Sequence, residues 1–358
     1  MNNEYLNDLL EELVVDLKVS TSMYDKATQR FNSITEHLKR KDSLLREYHH
    51  INLYPQGSFN LGTAIKPFGK KEHYDVDVVC EISASKKAIT QEKLKRLVGY
   101  EVEKYQRANN FQKAPEENRR CWTLLYSDTE QFHMDILPAI PDVEGFRKIL
   151  NGSELPQQWL NSAIAITDRQ HAEYSSLTDE WYVSNPKGYA EWFRSIIDNR
   201  IKYLAETQET AVEHIPTYYA NTNLQKAIQI LKRHRDIMFQ DNQEDKPISI
   251  IITTLAAMYY RKDNYLLKTL VDIIDDMAKL VNQNPDGLKI LNPVNPKENF
   301  ADKWSKYPKR KVAFQKWVWK LKQDFDRASK IGNTEIIENY FYSAKVEIIA
   351  RFRGLSTA

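Results

Sequence analysis

The chain has 358 residues, 42% of them hydrophobic and 28% charged, enough to bury a sizeable core as two lobes or one large two-part unit. Its 51 Lys and Arg against 49 Asp and Glu leave a net charge of only +2. Long duplexes are gripped through a strong basic excess, so long nucleic acid is disfavoured as a partner, and a small anionic substrate with metal ions fits better. With two cysteines, Cys80 and Cys121, neither a disulfide framework nor a cysteine-rich zinc site is expected.

The N-terminal stretch MNNEYLNDLLEELVVDLK is acidic and amphipathic, unlike a secretory signal, and no apolar run approaches the length of a membrane span. A cytoplasmic, membrane-free protein is expected. Leu6, Leu9, Leu10, Leu13, Val14 and Leu17 recur at helical spacing, and Met23, Ala27, Phe31, Ile34 and Leu38 continue in a second helix. LGTAIK (61–66) and YDVDVVCEI (74–82) read as strands, being short, β-branched and bounded by Gly, Pro and Lys. Gln91 to Ala108 reads as helix. CWTLLY and QFHMDILPAI, separated by SDTE, form a hairpin candidate closed by Pro138 and Pro141. Strand signals fade after residue 160. Helical patterns follow from Thr222 to Phe239, through ISIIITTLAAMYY, through YLLKTLVDIIDDMAKLV, and from Thr334 to Phe352, with Gly354 just past that last helix.

Residues two apart on a strand share a face, so Asp75 and Asp77 stand together while Val76, Val78 and Cys80 face the core. An isolated D-x-D is usually a solvent-facing edge. A second site changes that balance: Asp135 is a lone acid among Phe132, Met134, Ile136 and Leu137, and a charge so placed needs a partner or a metal. Three carboxylates converging from adjacent strands can hold two magnesium ions that orient a triphosphate, and Asp135 is suited to accept the proton of an attacking hydroxyl. Ahead of them, Gly57 lets backbone N–H groups approach phosphate and Ser58 adds a hydroxyl; a short helix following GSFNLGT would add its N-terminal dipole.

G-S, then D-V-D, then H-M-D resembles the signature of the polymerase-beta-like nucleotidyltransferase superfamily. The stretches YPQGSFNLGTAIKP, HYDVDVVCEI, FHMDILPAIPD and SNPKGYAEWF resemble more narrowly the bacterial cGAS/DncV-like nucleotidyltransferases, the CD-NTases. The similarity runs from Tyr54 to Phe193 and more loosely through the helical segment. It implies an α+β fold: a mixed sheet flanked by helices, with a C-terminal helical lobe and the active site in the cleft between. It also implies N-terminal helices over 1–50 packed across the body, a catalytic core over 51–200, and a lobe over 201–358 closing the nucleotide cleft. The implied activity is synthesis of a cyclic di- or trinucleotide signal from NTPs with release of pyrophosphate, in anti-phage defence. Two Mg2+ ions, replaceable by Mn2+, would sit on Asp75, Asp77 and Asp135, with Gln56, Gly57 and Ser58 on the donor triphosphate. Lys232 and Ser249 stand where the family's second lobe offers a lysine and, further on, a serine or tyrosine to that triphosphate. A solvated helix lysine and a helix cap are the alternatives for these two. Effector or regulatory proteins of a defence operon are the implied partners, and the tail LSTA suits C-terminal conjugation by a ubiquitin-transfer-like partner as well as it suits a frayed end. Linear transfer to RNA or a small acceptor, and a non-catalytic nucleotide sensor, remain open beside this reading.

His133, two residues before Asp135, either borders the metal site or is a packed, hydrogen-bonded histidine. His49, His50 and His73 lack metal-ligand spacing. KWSKYPKRKVAFQKWVWKLK is basic and aromatic, yet Phe314, Trp317, Val318, Leu321 and Phe325 form a helical stripe that predicts burial, with the lysines solvated. No cysteine cluster matches the zinc-binding insertion of the animal DNA sensor, so activation by double-stranded DNA is not expected. PVNPKENFADKW resembles a loop closing the second lobe, with Asn299 in a structural role.

Overall fold

The computed structural model describes residues 3–48, 50–68, 73–126, 132–151, 157–197, 215–216 and 221–331. Two helices lead: α1 (Asn3–Leu17) and α2 (Thr21–Lys39), the second begun by Ser20, whose hydroxyl accepts from Met23 N–H, a common N-cap arrangement. Their apolar stripes go to different places. Leu10, Leu13 and Leu17 join the cluster of the C-terminal helices, whereas Ala27, Phe31, Ile34 and Leu38, all wholly buried, join the core beneath the sheet.

The sheet is assembled from β1 (Ile51–Gln56), β2 (Tyr74–Ile82), β3 (Glu116–Glu117), β4 (Trp122–Leu125), β5 (Phe132–Pro141), β6 (Ile164–Ile166) and β7 (Tyr182–Ser184). The order is β1-β2-β5-β4-β3, with β6 on β5 and β7 on β6; β2 and β5 are parallel and the other pairs antiparallel. Between the strands lie α3 (Gly57–Leu61), α4 (Gln91–Ala108), α5 (Val143–Leu150) and α6 (Pro186–Ile196). Helix α4 follows the sequence reading residue for residue, because Thr90 caps it by accepting from Lys93 N–H. The C-terminal half comprises α7 (Asn223–Met238), α8 (Ser249–Met258), α9 (Leu266–Gln283), the small hairpin β8 (Leu291–Asn292) and β9 (Asn295–Asn299), and α10 (Pro308–Ile331). The expected stripe on α10 is buried: Phe314, Trp317, Val318 and Leu321 are fully enclosed. This is the α+β architecture expected, a mixed sheet with helices around it and a helical C-terminal half.

Several expectations need correction. LGTAIK is not a strand. Leu61 ends α3, Gly62 terminates it at φ +67 with its N–H turned back to Phe59 and Ser58 carbonyls, and the following loop makes one β-bridge, Ile65 with Lys18. Pro138 does not close β5; it lies inside it, between Ile136, the last residue paired with β4 along the chain, and Ala139, the first paired with β6. Strands do occur after residue 160, but β6 and β7 have three residues each, too few for a two-residue period to show. The SDTE turn, His49, the helix expected over Thr334–Phe352, Gly354 and the LSTA tail lie outside the described residues. Among the described residues no helix is long and apolar enough to cross a membrane.

Candidate active site

Strand alternation places the carboxylates. On β2, Val76, Val78 and Cys80 are fully buried in the core shared with α2 and α4, so Asp75 and Asp77 point to the opposite face. On β5, Met134 and Ile136 join the same core and leave His133 and Asp135 opposite. The parallel register sets Asp75 beside His133 and Asp77 beside Asp135. One oxygen from each of Asp75, Asp77 and Asp135 lies within 4.8 Å of the others.

Each carboxylate is held from outside. His133 Nε2 is 3.1 Å from Asp75 Oδ1. Thr123, opposite Asp135 on β4, donates its hydroxyl to Asp135 Oδ1 and accepts from Asn118 Nδ2 at 2.8 Å. Asp77 abuts Gly57: a Cβ built there would stand 2.0 Å from Asp77 Oδ2. Gly57 has φ +66, a conformation open to glycine and costly for other residues, and it turns the chain out of β1, whose Gln56 pairs with Asp77.

The electrostatics call for a cation. Burial, with Asp75 and Asp135 adding like charge, raises the Asp77 carboxyl well above the usual carboxylate range. Burial also raises Asp135, against the lowering effect of the Thr123 hydrogen bond. Burial alone would lower His133, but the hydrogen bond and charge of Asp75 outweigh it and the net shift is upward. Carboxylate oxygens are the ligands hard divalent cations prefer, and three of them this close are compensated by such an ion, so the residues present fit a magnesium site.

A cavity of about 1500 Å³ opens at Gln56 and Asp77 and runs past Arg120, Tyr182, Lys246 and Glu298, so both halves of the chain line it. Gly57 and Ser58 form the start of α3 beside Asp77. Lys232 is not a solvated helix residue: it is 4% exposed. Its Nζ donates to the Thr63 carbonyl at 2.9 Å and approaches the Thr63 hydroxyl at 3.3 Å. Burial, then the Arg235 charge, pushes its pKa down to about 7 against the opposing pull of Asp236 and Asp77. Ser249 is the first residue of α8 and caps nothing; the cap position is Ile248, and the Ser249 hydroxyl accepts from Arg235 Nη1 at 2.9 Å. The expected dipole contribution changes too, since the helix starts at Gly57 and has five residues. Asn299 is structural: its side-chain oxygen accepts from the N–H groups of Ile290 and Ala301.

Sequence reading missed Thr123. Its only signal was a polar residue in a hairpin strand, and its place opposite Asp135 depends on a register that the turn sets. It also left His133 open between two roles, and the structure joins them: a hydrogen-bonded histidine that is part of the acidic site.

Residues 5–165 match the Second Messenger Oligonucleotide or Dinucleotide Synthetase domain. A c-di-GMP synthase of Roseivirga ehrenbergii is 30% identical over 341 residues, covering 92% of this chain and 81% of that protein. Among solved structures, the CD-NTase CdnG of Bradyrhizobium diazoefficiens in complex with GTP superposes with a TM-score of 0.68 at 18% identity, over 94% of this chain and 98% of that one. The CdnC:HORMA-deltaN complex of E. coli MS115-1 gives 0.61 at 14% identity, over 94% and 96%.

Proposed function

The chain belongs to the CD-NTases, nucleotidyltransferases that make cyclic oligonucleotides from NTPs, and from that premise we propose that it is a cyclic dinucleotide synthase with GTP among its substrates. The Asp75–Asp77–Asp135 cluster, which meets the cavity at Asp77, carries the reading; the c-di-GMP synthase and the GTP-bound relative support the choice of base.

In this reading Asp75, Asp77 and Asp135 hold two magnesium ions, or manganese in their place, which supply charge neutralisation at the phosphates and lower the pKa of the acceptor hydroxyl. Gln56, Gly57 and Ser58 line the donor triphosphate, with the Ser58 hydroxyl as donor and Gly57 leaving room for close approach. Asp135 takes the proton of the acceptor ribose hydroxyl as its oxygen bonds to the α-phosphorus and the bond to pyrophosphate breaks. A second round within the same cleft closes the ring. Lys232, which the structure ties to Thr63, and Ser249, which it ties to Arg235, are the second lobe's groups for the triphosphate in this reading. The catalytic core spans 51–200, helped by N-terminal helices over 1–50 and closed by the lobe over 201–358. The protein works in the cytoplasm, in anti-phage signalling, beside regulatory or effector partners; CdnC in complex with a HORMA protein supports a regulatory partner of that kind.

Omitting one NTP at a time from a reaction with magnesium tests the base assignment. Product should vanish without GTP. Undiminished product in its absence contradicts the assignment, and a ladder of longer products favours linear transfer.

A further inference from the structure

A row of donors on one helix ties down the segment that follows the phosphate-facing turn. From α7, Gln225 Nε2 donates to the Leu61 carbonyl at 2.9 Å, Gln229 Nε2 to Ala64 at 3.0 Å, Lys232 Nζ to Thr63 at 2.9 Å and Arg233 Nη2 to Lys66 at 2.7 Å. Positions 225, 229, 232 and 233 fall on one helical face. Their targets are four carbonyls within six residues, from Leu61 at the end of α3 to Lys66, a stretch with no strand pairing beyond the Ile65 bridge.

Both glutamines are enclosed, at 0% and 2% exposure. Buried amides are costly unless paired, and these two are paired in a way that fixes their orientation. Gln225 Oε1 accepts from Thr222 N–H at 2.9 Å and from its hydroxyl at 3.1 Å; Gln229 Oε1 accepts from Asn221 Nδ2 at 3.1 Å. Each amide therefore has its NH2 end aimed at the loop. From the other side, Arg194 Nη2 on α6 donates to Asn60 Oδ1 at 2.7 Å, and Thr63 N–H donates to the Ser58 carbonyl at 2.9 Å. The clamp thus reaches Ser58, one residue from the glycine pressed against Asp77.

We propose that Gln225, Gln229 and Arg194 are positioning residues for the donor triphosphate: they hold residues 57–66 in place beside the carboxylates and so set NTP affinity without touching the nucleotide. This rests on the functional reading above. A loop whose carbonyls were left to find other partners would sample positions in which Ser58 no longer faces the phosphates, and binding would bear the cost of ordering it.

The test uses the full-length protein with Gln225→Met, Gln229→Met and the double variant, which keep length and apolar bulk and remove the whole amide, so that Gln225→Met also releases Thr222 at the start of α7. It adds Arg194→Met, at a half-buried site where folding is less at risk and that helix start is untouched. KM for GTP and kcat are measured with magnesium, and amide hydrogen exchange is followed in the absence of nucleotide. Each single change should raise KM about tenfold, the equivalent of one hydrogen bond, with kcat at saturation changed less. Exchange should rise at residues 58–66 and stay unchanged in β2. An unchanged KM, or exchange that rises equally in β2, would overturn the proposal in favour of a purely structural role. A wild type that bound no NTP would overturn the functional reading, and with it the affinity claim; the exchange result reports the clamp separately.

Discussion

Gly57 and Asp77 are in direct apposition: the glycine Cα passes so near the carboxylate that a methyl group there would overlap Asp77 Oδ2, at 2.0 Å. The chain turns from β1 into α3 at this point with φ +66. Close approach and a positive φ both require glycine, and both serve the placement of one metal-facing carboxylate.

Gly57→Ala should therefore displace Asp77 or the start of α3. A misplacement of about 1 Å costs on the order of 100-fold in rate, so kcat should fall by about that factor while the folded protein remains. Steady-state kinetics with a thermal melt checks this; near-wild-type kcat would contradict it.

His133 Nε2 sits 3.1 Å from Asp75 Oδ1. Partners of metal ligands tune affinity by about 10- to 100-fold. His133→Ala should weaken manganese binding in that range, read by electron paramagnetic resonance titration without nucleotide, and His133→Gln should restore part of it. Equal manganese affinity in all three proteins would contradict the account.

The Asp77 carboxyl is raised by burial and by its acidic neighbours, so the metal-free fold binds a proton that the unfolded chain, near 3.8, has released. The destabilisation is then full above the raised value and is relieved as pH falls through it towards 3.8. In EDTA at pH 8, Asp77→Asn should melt above the wild type, and the gap should narrow as pH falls. Magnesium should raise the wild-type melting temperature and have little effect on the variant. A gap that widened on acidification would reverse the sign and refute the assignment.

Burial pushes the Cys80 and Cys121 thiols up to about 12. The thiolate is the reactive species, so at pH 8 neither should react appreciably with a disulfide reagent in the native protein. Both should react in guanidinium chloride, and rapid native labelling would show that the strand face holding Cys80 is open.

Much of this site was legible because it obeys a two-residue period. Asp75 and Asp77 alternate with Val76 and Val78, and Asp135 interrupts an apolar strand, so both strands announce which face is polar. The hairpin of β4 and β5 was readable from two strand-like stretches around a short turn, and the long amphipathic helices from apolar residues at helical spacing. What the sequence hid depends on contacts between distant segments. LGTAIK is as β-branched as a strand, but α7 side chains satisfy its carbonyls, and nothing within six residues reports that. Lys232 looks solvated on its helix until the loop is folded over it. Pro138 reads as a terminator, yet it sits at a point where β5 changes neighbours.

The most direct test is product analysis: wild type and Asp135→Asn are incubated with radiolabelled GTP, the other NTPs and magnesium, and the products are treated with phosphatase. The account predicts a small phosphatase-resistant product from the wild type and none from Asp135→Asn. A resistant product made equally by the variant, or wild-type products that phosphatase degrades completely, would contradict it.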